Sequence, residues 1–172
     1  MNLRESILQE HSVTQRDAIV HWVGSSQQRF EDLINLMLGK EPVLAQRAAW
    51  AVSYCVEAHP LLIQKHLQRL VKSMQQDTVH DAVLRNTVRI LEQMPVPEKL
   101  QGILMDACFR LVASPNTSIA VKAFSLGILG NLAKTYPEII DEIKLVIADQ
   151  SSNASPGIKS KCKHVLQQLS RL

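Results

Sequence analysis

Aromatic side chains are scarce, making up 4% of the 172 residues. A core without them must be built from Leu, Ile, Val and Ala, which favours helices packed on helices over aromatic-rich sheets. Long apolar runs are missing too. The apolar maximum, 123–133, is held to 11 residues by Lys122 and Lys134, against the ~20 that a membrane-spanning helix needs. The start of the chain carries Arg4, Glu5 and Glu10 and lacks the apolar stretch of a signal peptide. Three widely spaced cysteines, Cys55, Cys108 and Cys162, are too few and odd in number for a disulfide framework. Buried reduced thiols and a cytoplasmic location are the expectation; the Asn116 and Asn153 sequons have no meaning without secretion.

The usual motifs of chemistry are also missing. The six histidines, His11, His21, His59, His66, His80 and His164, form no HExxH, and no CxxC occurs, so the spacings of tetrahedral zinc are absent. There is no GxSxG nucleophile elbow and no glycine-rich phosphate loop. Gly127 and Gly130 fall inside a helical pattern, where they permit close packing. These absences lead to the expectation of no catalytic residue, no metal and no cofactor.

What the chain does have is helical periodicity. Proline and glycine punctuate it, and most segments between them place apolar residues at i, i+3/4 and i+7. The pattern predicts ten helices, near 2–11, 14–23, 26–38, 43–58, 60–74, 78–93, 97–113, 117–135, 137–149 and 156–170, with no strand. Pro60, Pro97 and Pro137 suit first turns, while Asp77 and Ser155 suit caps. In 43–58, Leu44, Ala45, Ala48, Ala49, Val52, Cys55 and Val56 share one face; in 80–94, Leu84, Thr87, Val88, Leu91 and Met94 do. Trp22 is expected in the core. Net charge is −1 over residues 1–150 and +4 over 151–172, where Lys159, Lys161, Lys163 and Arg171 stand without an acid. A basic, solvated C-terminal helix over 156–171, closing the array, is expected from this.

The helices repeat. An aliphatic–basic pair opens three of them, Leu84-Arg85, Val121-Lys122 and Ile158-Lys159, each 37 residues after the last. The stripe of 43–58 superposes on that of 80–94 with a shift of 39, and AHPLLI at 58–63 is echoed by TYPEII at 135–140. The segments QRAAWAVSYCVEAHPLLI, LRNTVRILEQM, VKAFSLGILGNLAKTYPEII and IKSKCKHVL resemble second helices of HEAT and armadillo-like repeats. The resemblance covers 40–172, with 1–39 as a shortened, degenerate first unit around Arg16. Gln46 stands where the family's basic residue is expected, and Glu41 and Asn116 stand near the place of its aspartate. A HEAT-like chain implies one domain over 1–172, an all-α right-handed superhelix of antiparallel pairs, and binding of other macromolecules.

In such a solenoid the free faces of the second helices line a concave wall. The residues left over from the apolar stripes are Arg47, Trp50 and Tyr54 on 43–58, and Asn86 and Arg89 on 78–93. Lys122 and Lys163 continue the line. The aromatics would supply contact area and the cations would favour an acidic protein segment or peptide. The competing structural roles are packing of Trp50 and Tyr54 under the N-terminal helices, and ion pairing of the cations with Asp77, Asp81 or Glu57. The alternative function is that of a DNA-binding protein or an alkylpurine DNA glycosylase-like helical-repeat enzyme, a class whose basic grooves use Trp, Asp and Arg. This chain is shorter than those and near neutral outside its last helix.

Overall fold

The described residues include ten α-helices and two 3-10 helices and no strand. The computed structural model describes residues 2–76, 78–151 and 154–172; the expected roles of Asp77 and the Asn153 sequon lie outside them. Among the described residues no helix is long and apolar enough to cross a membrane. The chain packs as two units, Met1–Ile90 and Leu91–Leu172.

The first unit contains α1 (Leu3–Gln9), α2 (Val13–Val23), α3 (Gln27–Met37), α4 (Pro42–Ala58), a 3-10 helix (Pro60–His66), α5 (Leu67–Ser73) and most of α6 (Asp81–Gln93). Short polar side chains open the early helices. Asn2, Ser12 and Ser26 each accept a hydrogen bond from the backbone N–H three residues on, satisfying a donor that helix geometry leaves over. Gly24 ends α2 at φ 50°, a backbone state that favours glycine. Helices α1, α2 and α3 all pack on α4. The reason lies in α4's small apolar stripe: Leu44, Ala45, Ala48, Ala49, Val52, Cys55 and Val56 are all buried, as their spacing predicts. Alanine at three of those positions lets neighbouring backbones come close.

The second unit contains α7 (Glu98–Ala113), α8 (Ile119–Leu132), a 3-10 helix (Pro137–Ile139), α9 (Ile140–Ser151) and α10 (Pro156–Leu169). Here α8 is central, contacting α7, α9 and α10. Its run from Ser125 to Gly130 is buried on every side. A Cβ on Gly130 would stand 3.3 Å from Val165 Cγ1, so the glycine does permit close packing. Ser155 caps α10 by accepting from Ile158 N, with Pro156 in the first turn.

Three helix expectations change. The segment 60–74 is a 3-10 helix followed by a short α-helix; the Leu62 carbonyl accepts from Gln27 Nε2, which competes with an α-type bond. The segment 137–149 likewise opens with a 3-10 turn. Helix α6 starts at Asp81, because the His80 ring Nδ1 accepts from Ala82 N and acts as the cap.

Side chains reach main-chain carbonyls about one repeat away. Arg47 Nη1 donates to Ile7 O and Leu8 O, 40 and 39 residues earlier, in the first unit. In the second, Asn131 Nδ2 donates to Glu92 O (39 residues) and Gln168 Nε2 to Gly130 O (38 residues). These spacings match the period read from the sequence. Each bond satisfies a carbonyl that its own helix end leaves open or only singly bonded.

Candidate functional site

The face of α4 turned toward α1 and α2 carries a stack of rings and cations. Trp50 and Tyr54, four residues apart, project to the same side and meet edge to face, with centroids 6.3 Å apart at 87°. The Arg16 guanidinium, supplied by α2, lies 3.7 Å from the Tyr54 ring centre and 4.8 Å from that of Trp50. His11 adds its ring 5.0 Å from Trp50. At the far end Arg89, from α6, stands 5.6 Å from the Tyr54 ring and is ion-paired with Glu57. Contacts of this kind contribute about 0.5–2 kcal/mol each, depending on desolvation. The Arg16 side chain is only 11% exposed, whereas Arg89 and Glu57 keep 31% and 41%. The accessible end of the stack is therefore Tyr54, Arg89 and Glu57.

The seven residues read as a cationic wall fall into different environments. Arg47, Trp50, Tyr54, Asn86 and Arg89 belong to the first unit, Lys122 and Lys163 to the second. Arg47 points inward onto the α1 carbonyls. Asn86 is buried and its Nδ2 donates to Ala82 O at 2.8 Å. It is no free donor on a groove, because α6 buries Ala82, Val83 and Ile90 beside it along with Thr87, Val88 and Leu91 of its expected stripe, whereas Leu84 and Met94 of that stripe are only half-buried. Lys122 Nζ donates to Gln150 Oε1 at 2.8 Å. Lys163 is exposed and has no carboxylate partner among the described residues. Trp22, expected in the core, is half-buried under the Arg29 guanidinium, 4.8 Å from its ring. Of the competing structural roles, the Arg89–Glu57 pair is present. Trp50 packs against His11 and Arg16, from the chain leading into and through α2.

Sequence reasoning placed Arg16 in a degenerate repeat and missed its position between the two rings. The available signal was two aromatics at helical spacing on a face otherwise holding a cation. Which cation covers them is decided by where α2 crosses α4.

The cavity beside Trp50, between α1, α2 and α4, measures about 10 Å³, space for about one water. A purine ring turned out of a duplex does not fit there. Elsewhere burial shifts three thiols and one imidazole. It pushes the Cys55 and Cys108 thiols up to about 12, and the Cys162 thiol up as well. His66 is shifted below its ordinary value by burial first, then by Arg69 and Lys65, with Glu31 opposing. Its Nε2 lies 3.1 Å from Gln27 Nε2, so the ring accepts and is neutral there.

An all-helical chain with side-chain bonds recurring at one-repeat spacing is a helical-repeat protein. The HEAT repeat domain family matches residues 3–169, and the chain belongs to that family. The match takes in the N-terminal helices that were read as a degenerate unit. Comparison with curated proteins finds no match.

Proposed function

We propose that the chain is a non-catalytic protein-binding scaffold whose contact surface includes the stack on α4. The observation that carries this reading is the accessible end of the stack, Tyr54 and Arg89, held against Trp50 and the largely buried Arg16. HEAT repeats typically mediate protein interactions, and rings held rigid by flanking cations offer contact area with little entropy left to lose. The partner would be an acidic protein segment. The Arg89–Glu57 pair is solvent-exposed and so contributes roughly 0–1 kcal/mol; a partner carboxylate can share Arg89 at small cost. The tiny cavity at Trp50 favours this reading over one in which a base is recognised there.

Affinity capture from lysate with wild type, Arg89→Glu and Tyr54→Ala tests the proposal, with thermal melts confirming that each variant folds. Proteins captured by wild type should be lost with both variants. The same proteins captured in all three lanes would place the contact surface away from α4.

A further inference from the structure

The geometry points to a second binding site in the first unit, a groove for an acidic peptide that carries a large apolar side chain. The groove lies where the α3–α4 connection passes the end of α5 and the approach to α6, and its volume is about 780 Å³. That is within the range of about 300–1,000 Å³ usual for ligand sites. It is distinct from the ring stack. Ala45 lines it, and that position is roughly 140–200° around α4 from Arg47, Trp50 and Tyr54.

Lys40, Arg69, Lys72 and His80 line the groove, and no described lining residue is acidic. Lys40 and Lys72 are exposed and have no carboxylate partner among the described residues. Arg69 uses one nitrogen on Asn35 Oδ1 at 2.8 Å, leaving the rest of its guanidinium to donate. The ends of α3 and α5, at Met37 and Ser73, also approach this place. Lysines beside helix C-termini are favoured by the helix dipole, but that diffuse attraction leaves their N–H donors open to a ligand.

The rest of the lining decides the ligand class. Met37, Pro42, Val79 and Val83 contribute an apolar floor beneath the cations. A purely ionic ligand such as a polyphosphate would leave that floor without a partner. A peptide with carboxylates flanking a leucine or phenylalanine would satisfy both parts, the acids on the rim and the apolar side chain below.

The test is fluorescence anisotropy of the whole chain with a labelled DEDLFEDE peptide at low salt, where exposed charges act over about 30 Å. The expected results are saturable binding, about tenfold weaker for Lys40→Glu/Lys72→Glu, weaker again for the DEDSSEDE peptide, and unchanged for Tyr54→Ala. Both lysines are exposed, so the double reversal keeps the fold; Val79→Ser is a separate variant for the floor and should also weaken binding. Three outcomes would overturn the proposal. These are equal affinity in the lysine variant, equal affinity for the serine peptide, or no saturable peptide binding up to about 1 mM.

Discussion

Glu92 and Lys161, 69 residues apart, form an ion pair in the space that Gly127 leaves open. A Cβ on Gly127 would lie 1.7 Å from Glu92 Oε1 and 2.8 Å from Lys161 Nζ. The glycine in the middle of α8 therefore serves a charge pair as well as helix contact. The side chains of Lys161 and Glu92 are 23% and 17% exposed, so neither charge is free to hydrate fully if its partner is removed.

Coupling follows from this arrangement. Gly127→Ala gains about 1 kcal/mol of helix propensity but displaces the Glu92 carboxylate. Lys161→Met alone should cost about 1–2 kcal/mol by leaving that carboxylate unpaired. In the Gly127→Ala background the same change should cost less, with a coupling energy of roughly 0.5–2 kcal/mol. Urea denaturation of the four proteins measures it, and additivity would mean the glycine does not hold the pair.

Arg47 ties α1 to α4. Its Nη1 bonds to Ile7 O and Leu8 O, at 3.2 and 2.9 Å, are charge-assisted and anchor a helix of 7 residues that is too short to persist alone. Arg47→Met should lower stability by about 1.5–3 kcal/mol. Amide hydrogen exchange should show faster exchange over Leu3–Gln9 while α8 keeps its protection.

His66 introduces a pH dependence. Its folded-state pKa is below the ordinary 6.5, chiefly through burial, so the unfolded chain takes up its proton first as pH falls. The neutral-ring contribution is full above 6.5 and is lost as pH drops from there through the lower folded value. His66→Gln should flatten that part of the curve. Denaturant midpoints measured between about pH 5 and 7.5 decide this; a slope kept in the variant would assign it to another group.

The thiols should react in order. Cys55 and Cys108 are buried with pKa values raised to about 12, so almost no thiolate forms at neutral pH. Cys162 is also buried, but it lines an open groove with Lys159, Lys163 and Leu166. An aromatic disulfide reagent should label Cys162 first, and the other two only in urea. Mass mapping of the labelled sites reads the order.

Much of this protein is determined by its sequence alone. Apolar residues at helical spacing and scarce aromatics lead to an all-α chain, and the stripe on α4 is buried residue for residue. The repeat period is equally legible, because stacked units must place equivalent side chains at equal intervals, and the bonds of Asn131 and Gln168 do so. Periodicity tells which side of a helix is apolar. It does not tell how many neighbours cover the helix. Asn86 looked free on that basis and is buried, since α6 also buries Ala82, Val83 and Ile90 while Leu84 and Met94 of its stripe stay half-buried. Trp22 looked buried and is half-covered by Arg29. The partners in the α4 stack were likewise decided by tertiary structure: Arg16 reaches Tyr54 because α2 crosses α4, a long-range placement that local side-chain spacing does not encode.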